Sequence, residues 1–130
     1  MIILSIRSDK PEAEVGLFED NTELTYKSWQ AHRELAETIL ATIKSLLQVH
    51  KKTWSDISGI IVYQGPGSFT GLRIGISLAN ALAYSNDVPI VGATGDNWLQ
   101  TGSKAIMLGK GHKYITPHYG SAAHITMPRK

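Results

Sequence analysis

Residues 64–75 read QGPGSFTGLRIG, the densest run of glycine in the chain. This run follows an apolar segment at 58–63 and leads into another apolar segment, so it predicts a turn from a buried strand into a helix. Glycine adopts backbone conformations that other residues resist, and Ser68 or Thr70 can cap the helix. We therefore predict a structural turn shaped by four residues: Gly65, Gly67, Ser68 and Gly71.

The glycines of this turn do not match the common phosphate-binding loops. A Walker A loop has four residues between its glycines, followed by lysine and then serine or threonine. Here three residues separate Gly67 from Gly71, and the first cation, Arg73, lies inside the predicted helix. The dinucleotide pattern G-x-G-x-x-G also fails, because Thr70 occupies the third glycine position. Backbone N–H groups at a helix start still attract anions, so weak phosphate binding stays an alternative.

Hydrophobic periodicity on both sides of the turn predicts a series of strands and helices. Strands are expected at 2–7, 13–19, 22–29, 58–63 and 89–92, helices at 32–48 and 68–84, a helical turn at 94–102, and three short extended pieces between 104 and 126. Antiparallel hairpins followed by β-α-β crossovers predict an α/β fold with a mixed five-stranded sheet and helices packed on it. The order is similar to that of a ribonuclease H-like lobe and of each half of the actin-like ATPases and sugar kinases.

The composition is that of one globular domain. The chain has 130 residues, of which 42% are hydrophobic and 18% charged. We expect a ribonuclease H-like lobe at 1–103 and a tail of short strands at 104–130. The net charge of +2 is too small to indicate nucleic-acid binding by itself. Since the chain has no cysteine, it has no disulfide framework, thiolate metal site or cysteine nucleophile.

Targeting signals are not evident in the sequence. The first residues, MIILSIRSDKPE, lack the basic segment and long apolar run of a signal peptide. No apolar run approaches the ~20 residues that a membrane-spanning helix needs. We therefore expect a cytoplasmic protein without membrane contact.

The predicted helix at 68–84 is apolar on nearly every side. Small residues recur at every fourth position: Gly71, Gly75, Ala79 and Ala83. A helix that is apolar all round must be buried nearly all round, and one sheet covers only one side. We therefore predict that this helix and the helix at 32–48 form half of an intermolecular helix bundle. Its predicted centre consists of Leu35, Ile39, Leu72, Ile76, Ala79 and Ala83. The alternative is that the small residues simply pack against the sheet.

The motif QGPGSFTGLRIG closely resembles the signature of the TsaB family, also called YeaZ. The resemblance extends over residues 1–92 and includes the opening strand, the AHRELAETIL segment and the PIVG segment. It implies a dimerisation subunit of the bacterial complex that makes threonylcarbamoyladenosine in tRNA. The tail AIMLGKGHKYITPHYGSAAHIT looks like a shortened form of the hairpin that opens the family's second lobe, and we expect most of that lobe to be missing.

The resemblance implies a binding role rather than catalysis. The family looks like degenerate actin-like ATPases that pair with the related catalytic subunit TsaD through two long helices. TsaD modifies the adenosine beside the anticodon, and the ATPase TsaE engages the pair. The expected partners are therefore a TsaD-like subunit, a TsaE-like ATPase or a second copy of the chain, with tRNA reached only through the complex. No cofactor is expected.

Enzyme functions find little support among the residues. An actin-like ATPase needs an acidic residue at the end of its first strand, where this chain has Arg7 and the family usually has Asp. Asp9 is a weaker substitute in the following turn, and Asp96 is expected to be a solvated helix cap. A two-metal nuclease would need clustered carboxylates, which are lacking. We predict no catalytic or metal-binding residues, and the alternative is a stand-alone nucleotide-binding ATPase of the actin-like class.

Histidines in the tail are the remaining candidates for a metal site. The even spacing of His112, His118 and His124 would align them on one face only in an uninterrupted strand. Pro117 and Gly120 interrupt that strand. We therefore expect the three histidines to be exposed polar residues.

Overall fold

A computed structural model of the chain describes residues 1–31 and 34–116. The described part contains five strands and three α-helices. Along the chain these are β1 Ile2–Arg7, β2 Glu12–Glu19, β3 Thr22–Gln30, α1 Leu35–Val49, β4 Ile57–Tyr63, α2 Phe69–Asn86, β5 Ile90–Ala93 and α3 Trp98–Met107. A 3-10 turn at Trp54–Asp56 leads into β4 and is closed by a capping box between Thr53 and Asp56.

The five strands form one mixed sheet in the order β3-β2-β1-β4-β5. The first three strands are antiparallel, with Ser5 opposite Gly16 on β2. Strands β4 and β5 run parallel to β1, and Ser5 stands beside Ile61 on β4. The sheet is the mixed five-stranded sheet that the strand order predicts. Its central strands β1 and β4 are continuous apolar runs because helices cover both of their faces.

The two long helices and α3 lie on opposite faces of the sheet. Ile6 of β1 points to the face covered by α1 and α2, where it lies near Gly75. On the other face, Ile106 of α3 fills the space above Gly59 of β4. This arrangement leaves the C-terminal ends of β1 and β4 beside the start of α2. The glycine turn is therefore placed at the edge of the sheet where parallel strands end.

The helices differ in extent from those predicted. Helix α1 begins at Leu35 with Glu34 as its N-cap, and α2 ends two residues later than expected. Residues 32 and 33, where the prediction started α1, lie outside the described residues. The helical turn predicted at 94–102 is instead a helix that extends to Met107. Its length follows from a buried face that the prediction missed, formed by Trp98, Gly102, Ser103 and Ile106.

The predicted tail of short strands is wrong at its beginning. Residues 104–107 are helical, so the proposed domain boundary after residue 103 falls inside α3. Farther on, His112 forms an isolated antiparallel bridge with Ile90. The pieces expected after residue 116, with His118 and His124, lie outside the described residues. The interpretation of this tail as the start of a second lobe stays a prediction.

In the part of the chain that the structure describes, no helix is both long enough and apolar enough to cross a bilayer.

Candidate functional site: the glycine turn and the outer face of the long helices

The glycine turn is attached to the end of β1 and to β4 by hydrogen bonds. The backbone N–H of Ser68 donates to the carbonyl oxygen of Asp9 at 3.2 Å. The hydroxyl of Tyr63 donates to the carbonyl oxygen of Pro66 at 3.1 Å. Ser68, rather than Thr70, is the N-cap of α2, where its Oγ accepts a long hydrogen bond of 3.5 Å from the N–H of Gly71. These bonds hold the first turn of α2 close to residues 8 and 9.

Two glycines of the turn serve different purposes. Gly65 has a φ of 121°, in the region that residues with a Cβ rarely adopt. Gly67 does not have a positive φ, and its constraint is a lack of space. A Cβ at Gly67 would lie 2.5 Å from the Cβ of Asp9. The close approach of the turn to β1, rather than a special backbone conformation, therefore explains the glycine at position 67.

The small residues of α2 face the sheet. The side chain of Ser8, at the end of β1, donates from Oγ to the carbonyl oxygen of Gly71 at 2.7 Å. A Cβ at Gly71 would overlap the carbonyl oxygen of Ser8, and a Cβ at Gly75 would overlap the Oγ of Ser8. These contacts agree with the alternative stated in the sequence analysis, that the small residues of α2 pack against the sheet. They explain why two glycines are present in a helix, where each lowers helix propensity by ~1 kcal/mol.

An ion pair between Arg7 and Asp9 stands where an actin-like ATPase would need its acidic residue. Arg7 donates from Nε to Oδ1 of Asp9 at 2.7 Å and from Nη2 to Oδ2 at 3.3 Å. The carboxylate is buried, with 7% of the side chain exposed. Both of its oxygens are thus bonded to a cation, which leaves Asp9 poorly placed to hold Mg²⁺.

Two aromatic rings also contact the guanidinium of Arg7. Its central carbon lies 3.9 Å from the ring centroid of Tyr63 and 5.9 Å from that of Trp98. Partial burial lowers the pKa of Arg7, but the hydrogen bond and negative charge of Asp9 outweigh this effect, and the net pKa lies above its ordinary value. Arg7 therefore stays charged and joins the end of β1 to β4 and α3.

A metal site is not apparent in the described residues. Across residues 1–31 and 34–116, no three acidic, histidine or cysteine side chains are grouped to hold a metal ion. His112 is exposed and uses its backbone to pair with Ile90. Asp96 is exposed in the turn before α3.

The residues predicted to form the centre of an interface lie inside the chain. All six are at most 6% exposed: Leu35, Ile39, Leu72, Ile76, Ala79 and Ala83. They pack in the core between the two long helices and the sheet. A partner could not contact these side chains unless the chain opened. The predicted interface centre is therefore wrong, and any interface must use another side of the two helices.

The accessible side of the two helices carries a groove of about 530 Å³. It is lined by Ala36 of α1 and, from α2, by Thr70, Arg73, Ile74, Ser77, Leu78 and Ala81. Ile74 and Leu78 are half-buried, whereas Ala81 is exposed. The sequence predicted an interface on both helices but on their buried side, not on the side that carries this groove. The available signal was the position of Ile74 and Leu78 on the side of α2 away from Leu72 and Ile76.

Comparison with known proteins assigns the chain to a family. Residues 29–94 match the family described as TsaD: tRNA N6-adenosine threonylcarbamoyltransferase. The chain is 33% identical over 90 residues to the tRNA threonylcarbamoyladenosine biosynthesis protein TsaB of Bacillus subtilis, covering 69% of this chain and 39% of that protein. The chain belongs to the TsaB/TsaD family. The resemblance to TsaB found in the sequence is thereby confirmed.

Other members of the TsaB/TsaD family extend the comparison. The tRNA N6-adenosine threonylcarbamoyltransferase of Geotalea uraniireducens is 45% identical over 62 residues, covering 48% of this chain and 18% of that protein. The solved structure of YeaZ from Pseudomonas aeruginosa superposes with a TM-score of 0.66 at 25% identity, covering 72% of this chain and 43% of that one. The chain thus spans about two fifths of the length of the TsaB protein and the YeaZ structure that it matches.

A more distant structure supports the fold class of the TsaB/TsaD lobe. Thermus thermophilus RuvC, solved with a Holliday junction, has a TM-score of 0.54 at 11% identity and covers 84% of this chain and 77% of that one. At this identity the likeness concerns the fold alone. The prediction of a ribonuclease H-like lobe with a mixed sheet is confirmed.

Proposed function

We propose that this chain is a non-catalytic subunit of the machinery that makes threonylcarbamoyladenosine in tRNA. In this role it pairs with a TsaD-like catalytic subunit, which modifies the adenosine next to the anticodon. Membership of the TsaB/TsaD family supports a role in this tRNA modification, because relatives named TsaB and relatives named as the transferase are both named for it. The proposed role is to bind a partner protein. The main structural support is the groove on the outer side of α1 and α2.

The groove has the properties of a surface that receives a helix. Its apolar floor consists of Ile74 and Leu78, which are already half-buried within the chain. Small side chains at Ala36, Ser77 and Ala81 stand beside them and allow a second backbone to approach closely. We place the pairing surface here, and it replaces the buried residues first predicted as its centre.

The Arg7–Asp9 pair supports a role without ATP hydrolysis. Magnesium-dependent phosphoryl transfer needs acidic ligands that are free to coordinate the metal. Asp9 is instead bonded through both oxygens to Arg7 and is enclosed by Gly67. The proposed function therefore needs no bound cofactor, and the stand-alone ATPase is the alternative to be tested.

Further partners belong to the same proposal. A TsaE-like ATPase would engage the chain together with the TsaD-like subunit. A second copy of the chain could occupy the same groove in the absence of the TsaD-like subunit, because related subunits present similar helix faces. Transfer RNA would be reached only through the assembled complex, and the proposed place of action is the cytoplasm.

Co-purification tests the pairing directly. The chain and the TsaD of the same cell are expressed together, and the mass of the complex is measured by size-exclusion chromatography with light scattering. We expect a stable heterodimer, and we expect tRNA modification by TsaD to increase when the chain is added. A chain that is monomeric at high concentration and does not associate with TsaD would contradict the proposal.

A further inference from the structure

The segment after α3 closes the outer edge of the sheet. Ile90 and His112 exchange two backbone hydrogen bonds: the N–H of Ile90 donates at 2.9 Å and that of His112 at 2.8 Å. This bridge is isolated, so the segment and β5 do not form a longer ladder within the described residues. We call residues 109–116 the strap.

The side chain of Asn80, on α2, holds the strap by its backbone. Nδ2 of Asn80 donates to the carbonyl oxygen of Ile115 at 2.9 Å, and Oδ1 accepts from the N–H of Ile115 at 2.9 Å. The amide of Asn80 thus takes the place of a peptide group in a neighbouring strand. Nε2 of Gln64, the first residue of the glycine turn, adds a hydrogen bond of 2.7 Å to the carbonyl oxygen of Thr116.

A single apolar side chain anchors the strap to the core. Within residues 109–116, all of which the structure describes, Ile115 alone is buried. Its side chain sits over Gly92 of β5, where a Cβ would lie 2.8 Å from Cδ1 of Ile115. The strap begins at Gly109, whose φ of 74° makes a sharp change of direction after α3. Its attachment therefore depends on this side chain, the close approach of Gly111 to Pro89 and a few hydrogen bonds.

We propose that the strap opens and closes as one unit while the sheet stays folded, and that Asn80 is the lock between the two states. Segments with few buried contacts open locally at a lower free energy than the whole domain. Opening would release Ile115 from Gly92, free the outer N–H of Ile90 and break the hydrogen bond of Gln64 to Thr116. It would thus expose the edge of β5 and release the side chain at the first position of the glycine turn at the same time. This inference does not depend on the proposed pairing with TsaD.

Hydrogen exchange measured by NMR on the full chain tests the strap. We expect the amides of Ile90, His112 and Ile115 to exchange at one common opening rate, faster than the amides of β4. In Asn80→Ala, exchange of all three should accelerate together by at least ~tenfold, because two hydrogen bonds are lost, while β4 stays unchanged. Ser85→Ala, an exposed substitution on the same helix, is the matched control and should leave the three amides unchanged.

Three results would overturn the inference. Acceleration at Ile115 alone would mean that the strap does not move as a unit. Exchange of Ile90 and His112 as slow as that of β4 in the unmodified chain would mean that the strap opens only with the sheet. If Asn80→Ala unfolds the chain, Gln64→Ala replaces it, since that change removes the bond to Thr116 and the side-chain packing on Gly92 but keeps both bonds of Asn80. The same three amides should then accelerate by a smaller common factor, and unchanged rates would also contradict the inference.

Discussion

The Oγ of Ser8, the residue that follows β1, occupies the space that a Cβ at position 75 would need, so this side chain packs directly against the backbone of α2 at Gly75. One turn earlier the same serine donates a hydrogen bond to the carbonyl oxygen of Gly71. These two contacts set how closely α2 approaches the end of β1.

Gly75→Ala should lower the free energy of unfolding by ~1–3 kcal/mol, because the new methyl group overlaps Ser8 even though alanine favours the helix. Adding Ser8→Gly removes the obstructing atoms and should restore most of the loss, as measured by urea denaturation. Gly71→Ala is the matched control, since its obstacle is the carbonyl oxygen of Ser8, which Ser8→Gly retains. Equal rescue of both alanine variants would contradict this explanation.

Arginine substitutions should distinguish the two sides of α2. Ala79 is fully buried, so Ala79→Arg should lower the free energy of unfolding by several kcal/mol and leave little folded chain. Ala81 is exposed in the groove, so Ala81→Arg should melt like the unmodified chain but fail to bind TsaD. Ala41→Arg, an exposed alanine of α1 outside the groove, is the control and should bind normally. Normal TsaD binding by Ala81→Arg would place the interface elsewhere.

The isolated chain should bind Mg-ATP too weakly to detect by calorimetry and should not hydrolyse ATP or cleave nucleic acid at enzyme-like rates. The physical reason is that Arg7 neutralises Asp9 in a two-bond ion pair. The measurement combines calorimetry with a phosphate-release assay. ATP turnover that disappears in Asp9→Asn or Arg7→Ala would support the stand-alone ATPase instead.

Alkaline pH should destabilise the chain through Tyr26. Burial of the phenol and its 2.5 Å hydrogen bond to Oε1 of Glu14 raise the pKa of Tyr26 well above its ordinary value. The folded state thus binds this proton more tightly than the unfolded state does. The resulting stability is complete below the ordinary tyrosine pKa of about 10 and is lost as the pH rises above it.

Comparison with Tyr26→Phe isolates this effect from the titration of other groups. Urea denaturation of both chains between pH 8 and pH 11 should show that the stability advantage of the unmodified chain shrinks as the pH rises. Tyr84→Phe is the control, because Tyr84 is 88% exposed and should not alter the pH profile. A constant difference between the unmodified chain and Tyr26→Phe across this range would contradict the prediction.

Local patterns were sufficient to predict the elements that carry the sheet. The apolar runs at Ile2–Arg7 and Ile57–Tyr63 indicate strands buried on both faces, and the hairpin before α1 specifies antiparallel neighbours. The glycine turn predicted the strand-to-helix connection and a cap at Ser68 or Thr70, of which the structure uses Ser68. The predicted length of α3 was too short because its buried positions include Gly102 and Ser103, which are not apolar residue types.

The amino-acid sequence by itself therefore determined the element order, the mixed sheet and membership of a family with a long, specific motif. It did not determine the orientation of α2, because Leu72 and Ile76 on one side are as apolar as Ile74 and Leu78 on the other. Only the tertiary structure determined which of these two sides faces the sheet. In the folded chain the sheet and α1 bury Leu72 and Ile76, which leaves Ile74 and Leu78 half-buried on the outer side, and Ser8 approaches the backbone of α2 so closely that only glycine fits at positions 71 and 75.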